Sequence, residues 1–525
     1  MAGFKLTYAT MYNPPEELHT HFDNSIAKLK ANLGKEYSMI INGKDVFADE
    51  KFEDRTPIDT SMVLAVMQKG NEKHAAQAMA AARKAFPSWS HTPWQERIRL
   101  LRKVSELLDD RLTEMGAVMS MEVGKNRMES MGDVAETADL IRYSCQMMEE
   151  NDGFVKAMGK DPLPNHDVTN ISVLRPYGVW LVVSPFNFPF ALTGGPAGAA
   201  LAAGNTVVLK PASDTPFIVH MLASAFRDAG LPDGVVNFVT GPGRTLGSAL
   251  VNSPEVDGVT FTGSYDVGMK MFRDFANGRY VRPMVLELGG KNPTIVTKDA
   301  NLEDAAQGIV RSAFGLQGQK CSAGSRVYIQ EDVYDALVPK LKELTEKLSI
   351  GDPTERKVFL GPVINKSSYE DFQNFNSELM KSGKLLTGGH ILTRGDLAKG
   401  YYCEPTLYTD LPYSHRLWKH EMFVPITTIG KFKTLEEAMA MANDVDYGLT
   451  AGIYGSESDA EYFFDKIEAG VTYANRPQGS TTGAWPGFQP FGGWKGSGSS
   501  GKNGGGLHYV QLYMHEQIRT MVRPK

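Results

Sequence analysis

The chain has 525 residues, of which 42% are hydrophobic and 22% are charged, and its formal net charge is −6. At about 100–200 residues per domain, this length predicts two or three domains, and the composition is ordinary for a globular protein with a large core. Because there is no basic excess, nucleic acid and anionic membrane surfaces are not expected as partners.

Cysteine usage bears on the compartment. The three cysteines, Cys145, Cys321 and Cys403, lie far apart in the sequence and cannot all pair. This usage predicts no disulfide framework and favours a reducing environment, the cytoplasm. Residues 1–14 lack the basic and apolar regions of a signal peptide.

Hydrophobic periodicity predicts helices and strands along most of the chain, although the first fifty residues give no clear pattern. Helices are predicted over 72–108 and 128–150. Strands and helices then alternate, with strands at 178–184, 206–210, 235–239 and 259–262 and helices at 194–203, 217–229, 244–251 and 267–275. This alternation is typical of a parallel sheet with crossover helices.

From about residue 291 the pattern begins again, which predicts a second α/β unit. The predicted helices are 304–313, 331–348 and 436–443, and the predicted strands are 325–329 and 449–454.

The uncharged run 176–209 is long enough for a membrane helix. However, Pro185, Pro189 and Pro196 interrupt it, and proline breaks the hydrogen-bond ladder that lipid requires. We therefore interpret the run as a buried strand, a loop and a buried helix, and expect no membrane span.

Cys321 stands in a polar context, Gln319-Lys320-Cys321-Ser322. The positive charge of Lys320 beside it favours the thiolate, which is the reactive form of cysteine. A structural cysteine is the alternative, because free cysteines are often buried.

Two polar residues are placed at predicted strand ends. Glu287 interrupts the apolar run 284–288, where burial would raise its pKa toward that of a working base. Asn187 lies between prolines and aromatics and could present its amide to a developing oxyanion. The alternatives are an ordinary strand-end glutamate and a turn asparagine.

Glycine-rich turns give weaker signals. Residues 241–247 lie between a strand and a helix but miss the dinucleotide fingerprint by one residue, and 261–264 form a second such turn. The tail 492–506 has P-loop spacing at Gly496, Gly501 and Lys502, yet Asn503 replaces the hydroxyl residue and no strand precedes it. No serine-hydrolase motif and no metal-ligand spacing is present.

The ordered motifs SPFNFP, FTGS, LELGGK, GQKCSAGSR, HEMFVP and NRP…PFGG resemble the aldehyde dehydrogenase superfamily, from about residue 40 to the C-terminus. The resemblance implies an α/β fold with a Rossmann-type NAD(P)-binding domain (1–157 and 177–289) and an α/β catalytic domain (290–505). It also implies a small oligomerisation element (158–176 and 506–525). The strand-like tail 507–522 would complete a neighbouring subunit, so a homo-oligomer is expected.

The resemblance also implies a catalytic set, Cys321, Glu287, Asn187 and Lys210. The Cys321 thiolate would attack an aldehyde to give a thiohemiacetal, and Asn187 with the backbone N–H of Cys321 would form the oxyanion hole. Loss of hydride to the nicotinamide would leave a thioester. Glu287 would activate the water that releases the carboxylate, rather than coenzyme A accepting the acyl group.

The cofactor, NAD or NADP, would be held by residues that follow strands and by the loop around residue 421. The implied positions are Ser184, Pro185, Phe186, Lys210, Ser213, Gly243, Gly247, Gly263, Ser264, Leu288, Glu421 and Phe423. At position 213, NAD-specific relatives usually have a glutamate that repels a 2′-phosphate. Ser213 removes this repulsion, so NADP use is expected to be possible; alternatively, Asp214 takes over the role.

The segment 482–493 and the helical segment 132–154 resemble the 1-pyrroline-5-carboxylate dehydrogenase branch, which acts in proline catabolism. The favoured substrate is therefore L-glutamate γ-semialdehyde, with its carboxylate on Ser322, Gly483 and Ala484 and its stem between Phe188 and Phe491. Trp485-Pro486 and the insertion 477–481 depart from the commonest loop, which leaves another small or aromatic aldehyde as an alternative. A non-catalytic protein on the same fold is the remaining hypothesis.

Overall fold

The computed structural model describes residues 5–6, 13–479 and 486–525. Helices and strands alternate through most of this part of the chain. Its α-helices are α1 (Glu16–Lys30), α2 (Glu72–His91), α3 (Trp94–Asp110), α4 (Leu112–Val123), α5 (Arg127–Glu150), α6 (Ala191–Ala203), α7 (Pro216–Asp228), α8 (Ser248–Val251), α9 (Tyr265–Ala276), α10 (Leu302–Phe314), α11 (Glu331–Glu346), α12 (Lys366–Leu379), α13 (Leu435–Asn443) and α14 (Glu457–Lys466).

The strands of the same described ranges are mostly short. They are β1 (Lys35–Glu36), β2 (Met39–Ile41), β3 (Lys44–Val46), β4 (Lys51–Arg55), β5 (Val63–Gln68), β6 (Val155–Ala157), β7 (His166–Pro176), β8 (Val179–Val183), β9 (Thr206–Lys210), β10 (Val236–Phe238), β11 (Gly258–Thr262), β12 (Met284–Glu287), β13 (Asn292–Val296), β14 (Gly324–Gln330), β15 (Lys384–Thr387), β16 (Thr406–Thr409), β17 (Ile426–Phe432), β18 (Tyr447–Gly448), β19 (Thr450–Tyr454), β20 (Val471–Ala474), β21 (Trp494–Lys495) and β22 (Met514–Pro524).

The first large sheet has seven strands in the order β12-β11-β8-β9-β10-β2-β3. The five strands β8 to β12 are parallel, whereas β2 and β3 are antiparallel at one edge. Strand β8 shows why this sheet is internal. Trp180 and Val182 pack into one apolar cluster and Leu181 into another, so both faces of the strand are buried. The predicted parallel sheet is confirmed.

The second large sheet has the order β15-β16-β17-β14-β13-β19-β20. All its neighbours are parallel except the edge strand β15. Helices α10 and α11 contribute to one of its apolar clusters, and α12, α13 and α14 contribute to another. The second predicted α/β unit is thus present as well.

Strands β22, β7 and β6 form a separate antiparallel sheet. Strands β7 and β22 pair continuously, from Met514 opposite Pro176 to Pro524 opposite His166. Apart from Met514, β22 is exposed along its whole length. The remaining small sheets are β1-β5-β4 and β18-β21.

Some predicted elements are wrong in detail. The predicted helix 72–108 is two helices, because Pro93 cannot continue α2 and instead precedes the first residue of α3. The helix predicted at 244–251 is a π-helical turn, Gly243–Gly247, followed by the single α-turn α8. Within the described ranges, none of the helices is long and apolar enough to span a bilayer.

Candidate active site

The polar residues singled out in the sequence lie where the two large sheets face each other. In the first sheet they follow the carboxyl ends of strands, with Ser184 after β8, Lys210 at the end of β9 and Gly263 after β11. In the second sheet they precede the amino ends, with Cys321 before β14 and Glu421 before β17. Ligand sites in open α/β sheets favour the carboxyl edge, so this interface is the candidate site.

A cavity lies at this interface. It brings together Cys321, Ser322, Glu287, Phe188 and Phe491, which were predicted separately from motifs up to about three hundred residues apart. The remaining wall is formed by Glu136, Leu140, Ala191, Leu192, Gly195, Pro196, Thr262, Leu288, Gly504 and Tyr509. A mainly apolar cavity with a few converging polar groups is typical of a small-molecule site.

Cys321 is half-buried in this cavity. Burial, together with the carboxyl groups of Glu421 and Glu287, raises the pKa of its thiol to about 12. The thiol is therefore protonated at neutral pH, and a base must remove its proton before it can act as a nucleophile.

The expected help from Lys320 is not found. Its Nζ lies 2.6 Å from Glu129 Oε1, and both side chains are buried. The cation is therefore neutralised by a carboxylate, which also accepts from the backbone N–H of Leu316 through its other oxygen. Although Lys320 is adjacent to Cys321 in the sequence, its side chain lies in a different environment. The charged groups that act on the thiol are the carboxyl groups of Glu421 and Glu287 instead.

Glu287 is the last residue of β12. Its main chain is fixed, because its carbonyl accepts a hydrogen bond from the N–H of Gly263 and the N–H of the next residue, Leu288, donates to Ser497. Its carboxylate atom Oε2 is buried and has no hydrogen-bond partner among the described residues. Burial raises the pKa of Glu287 well above its ordinary value. A buried carboxyl group of this kind is suited to take up a proton.

Asn187 is buried in the loop between β8 and α6. Its amide Nδ2 donates to the carbonyl of Gln319 at 3.0 Å. This bond fixes the amide close to the Cys321 loop and uses only one of its two N–H groups. The second is the donor that an oxyanion next to Cys321 would require.

The expected cofactor residues form a row along the carboxyl edge of the first sheet. Lys210 is buried, and burial lowers its pKa to about 8. A Cβ at Gly247 would stand 3.5 Å from Lys210 Cε, whereas nothing lies within 4 Å of one at Gly243. Ser264 precedes α9 without capping it through its side chain. The first turn of α9 thus offers backbone N–H groups to a phosphate.

Ser213 is exposed, three residues beyond Lys210. Asp214 is partly buried, and its Oδ1 accepts a hydrogen bond from Asn365 Nδ2 at 3.2 Å. Burial lowers the pKa of Lys210, and the Asp214 carboxyl group opposes this shift. That Asp214 takes the place of the missing glutamate stays a prediction.

Glu421 and Phe423 come from the second sheet's side of the site. Glu421 Oε1 accepts from the N–H of Gly290 at 2.8 Å, and burial raises its pKa to about 7. A Cβ at Gly289 would stand 2.1 Å from Glu421 Oε2, so a side chain there would displace the carboxylate. Phe423 packs edge-on against Phe186, with ring centroids 5.8 Å apart.

Of the expected substrate residues, Gly483 and Ala484 lie outside the described residues. Phe188 and Phe491 line the cavity, and Lys125 Nζ lies 3.6 Å from the centre of the Phe188 ring. Lys125 in turn forms a fully buried 2.8 Å ion pair with Asp133, and Asp133 Oδ1 accepts from the N–H of Ala191. This pair fixes both Phe188 and the start of α6.

Sequence reasoning did not find Lys125, Asp133, Glu136 or Tyr509. The first three belong to α5 or the turn before it, where charged residues at helical spacing look like a solvated face. The signal that could have identified them is the energetic cost of burying charged side chains. Helix α5 is buried on nearly every side, so its charged residues need partners in the interior.

Comparisons with known proteins agree with this geometry. The sequence profile described as "Aldehyde dehydrogenase family" matches residues 46–518. A 1-pyrroline-5-carboxylate dehydrogenase of Geobacillus sp. (strain WCH70) is 38% identical over 506 residues, which is 95% of each chain. The NAD-bound 1-pyrroline-5-carboxylate dehydrogenase from Thermus superposes with a TM-score of 0.91 at 33% identity, covering 98% of both chains.

A structure of an E. coli NADP-dependent enzyme superposes with a TM-score of 0.85 at 30% identity, over 93% of this chain and 98% of that one. The profile match spans most of the chain, and the Geobacillus relative matches nearly all of it. The chain therefore belongs to the aldehyde dehydrogenase family.

Proposed function

We propose that this protein oxidises L-glutamate γ-semialdehyde, the open-chain form of 1-pyrroline-5-carboxylate, to glutamate with NAD or NADP. The observation that carries the proposal is the shared cavity of Cys321, Glu287 and Ser322 between two aromatic walls. Relatives named 1-pyrroline-5-carboxylate dehydrogenase, which match nearly the whole chain, support the choice of substrate.

The residues of the cavity divide the reaction into two stages. Glu287, within the same cavity, is placed to take the proton of the Cys321 thiol as sulfur bonds to the aldehyde carbon. The oxygen that gains negative charge meets the Asn187 amide and the N–H of Cys321. When bound, the nicotinamide cofactor supplies the hydride acceptor. Glu287 releases the thiol proton to solvent and, as a carboxylate again, takes a proton from the water that attacks the resulting thioester. The bond between the carbonyl carbon and the Cys321 sulfur breaks, and the sulfur takes up that proton as it leaves as the thiol.

The cavity also fits an amino acid aldehyde. Glu136, an acidic residue, lies in its wall. Pro486 and Gly487 follow the expected anchor residues Gly483 and Ala484 in the sequence. Pro486 packs against Gly505, and the N–H of Gly487 donates to the Gly505 carbonyl at 3.0 Å. A Cβ at Gly505 would stand 3.1 Å from Leu140 in the cavity wall. The described end of the loop is thus fixed beside the cavity. That Gly483 and Ala484 hold the carboxylate stays a prediction, because both lie outside the described residues.

Steady-state kinetics test the substrate. We expect kcat/KM for glutamate semialdehyde to exceed that for propanal and benzaldehyde by about a hundredfold or more. Propanal and benzaldehyde lack the carboxylate and ammonium groups through which glutamate semialdehyde would be bound. Ser322→Ala should lower only the first value, because propanal carries no carboxylate. Equal kcat/KM for all three aldehydes would instead favour an enzyme for another small or aromatic aldehyde. No turnover of any aldehyde would favour a non-catalytic protein.

The cofactor residues fit a dinucleotide. The N-terminus of α9 would take the pyrophosphate, Lys210 the adenosine ribose, and Glu421 with Phe423 the nicotinamide end. Ser213 presents no negative charge to a 2′-phosphate, which leaves NADP acceptable.

Ser213→Glu therefore should restrict the enzyme to NAD. We expect the KM for NADP to rise about tenfold or more through like-charge repulsion, while the KM for NAD changes little. Ser213→Gln, which has the same size without the charge, is the control and should affect both cofactors alike. If Ser213→Glu changed the KM for NAD and the KM for NADP equally, residue 213 would not decide between the two cofactors.

We also propose that the chain has the domain boundaries given above and that it forms a homo-oligomer. Strand β22 leaves Ile518, Met521 and Val522 about half exposed, which favours contact with another copy of the chain. The three cysteines are unpaired, as expected for an enzyme of the cytoplasm.

A further inference from the structure

A chain of hydrogen bonds runs from the core of the first sheet to the cavity wall. Trp180 Nε1, on β8, donates to Thr260 Oγ1 at 2.9 Å, and Thr260 Oγ1 lies 3.2 Å from the hydroxyl of Tyr513. Tyr513 donates to the hydroxyl of Tyr509 at 2.8 Å. Tyr509 lines the same cavity as Glu287, and Tyr513 is fully buried.

The direction of these hydrogen bonds follows from the first donor, Trp180. An indole N–H can only donate, so Thr260 accepts from Trp180 and has its own hydroxyl hydrogen to give. If that hydrogen goes to Tyr513, then Tyr513 donates to Tyr509, as its geometry indicates. The opposite direction would leave the hydroxyl hydrogen of Thr260 without an acceptor in the core, which is costly.

When each group donates to the next in this order, the hydroxyl hydrogen of Tyr509 is the one that has no acceptor within the series. Nothing in the described part of the chain accepts it, although Tyr509 is only 6% exposed. Glu287 Oε2, in the wall of the same cavity, is a buried acceptor that lacks a donor. Burial raises the pKa of both tyrosines, and the Glu287 carboxyl group adds a smaller increase, which indicates that it lies near them. A buried donor and a buried acceptor therefore complement each other across one cavity.

We propose that Tyr509 is a positioning residue for hydrolysis, whose hydroxyl donates to the attacking water, which in turn donates to the Glu287 carboxylate. The inference rests on the proposed function. Holding Glu287 as a carboxylate keeps it able to take the proton of the water. The water oxygen bonds to the thioester carbon, the bond to Cys321 sulfur breaks, and the carboxylic acid and the thiol are released.

Tyr509→Phe should slow the hydrolytic stage and spare the earlier one. We expect kcat to fall about tenfold to a hundredfold, and a burst of NAD(P)H equal to the enzyme concentration to precede the slow steady state. The acid limb of the kcat–pH profile should move to higher pH, because a donor that stabilised the carboxylate has been lost. Tyr513→Phe should have a smaller effect of the same kind.

Tyr408→Phe is the matched control, since Tyr408 is a buried tyrosine bonded to Asn376 in the second sheet, outside the site. It should lower thermal stability comparably but show neither the burst nor the pH shift. Wild-type kcat in Tyr509→Phe, or a loss of activity without burst and shift, would overturn the inference. Any aldehyde that the wild type oxidises can be the substrate in this experiment, so a different preferred substrate would not affect its outcome. An inactive wild type would overturn both proposals.

Discussion

Cys321→Ala should abolish NAD(P)H production with every aldehyde, lowering kcat by about four orders of magnitude or more. In the proposed mechanism sulfur is the atom that bonds to the aldehyde carbon, and the hydroxyl groups that also line the cavity are much weaker nucleophiles than a thiolate. The substitution removes one half-buried atom next to existing empty space, so the fold and the cofactor site should remain. The readouts are steady-state absorbance of the reduced cofactor and, separately, cofactor binding by fluorescence.

Cys403→Ala is the appropriate control for losing a thiol. Cys403 is 1% exposed in the apolar core of the second sheet and does not line the cavity. It should keep wild-type kcat even if the protein melts at a lower temperature. Retained NAD(P)H production in Cys321→Ala would contradict the mechanism outright.

Glu287→Gln should separate the two stages of the reaction. The amide keeps the size of the side chain but cannot take up a proton, so hydrolysis of the thioester should slow by about a hundredfold to ten-thousandfold. Steady-state turnover would fall accordingly. Because we propose that Glu287 also accepts the thiol proton, the first turnover should be slower as well, but it should still reach one reduced cofactor per site.

The pH dependence of the wild type follows from the same residue. Burial raises the pKa of Glu287, and only its ionised form can act as a base. Hydrolysis should therefore be fast at high pH and decline as the pH falls through this raised pKa, at a higher pH than for an exposed glutamate. Glu287→Gln should lose this acid limb, whereas Glu343→Gln, on the surface of α11, should keep it. An unchanged profile in Glu287→Gln would assign the base to another group.

The sheets were largely predictable because their strands are short apolar runs with sharp ends. Strand β9 begins and ends at the predicted residues, and α5 begins within one residue of its predicted start. The errors fall where periodicity carries no information. Pro93 divides one apolar pattern into two helices, and the turn at 243–247 is π-helical although its sequence looks like an ordinary helix start.

The residues that line the cavity were predictable through ordered motifs rather than through single residues. Cys321, Glu287 and Asn187 are each ambiguous alone, and the cavity brings the first two together. Contacts between distant segments were not predictable. Lys320 pairs with Glu129, 191 positions away, and the donor chain to Tyr509 joins residues from β8, β11 and the C-terminal segment. Tertiary packing alone decides such partners.

The central claim, that Cys321 carries the acyl group of an oxidised aldehyde, can be measured directly by mass spectrometry. Glu287→Gln is mixed with glutamate semialdehyde and the oxidised cofactor, quenched in acid after one turnover and digested. We expect the peptide containing Cys321 to gain the mass of a glutamyl group in thioester linkage, and omission of the cofactor to remove this gain. An unmodified Cys321 peptide beside one equivalent of reduced cofactor, or an acyl group on another residue, would contradict it.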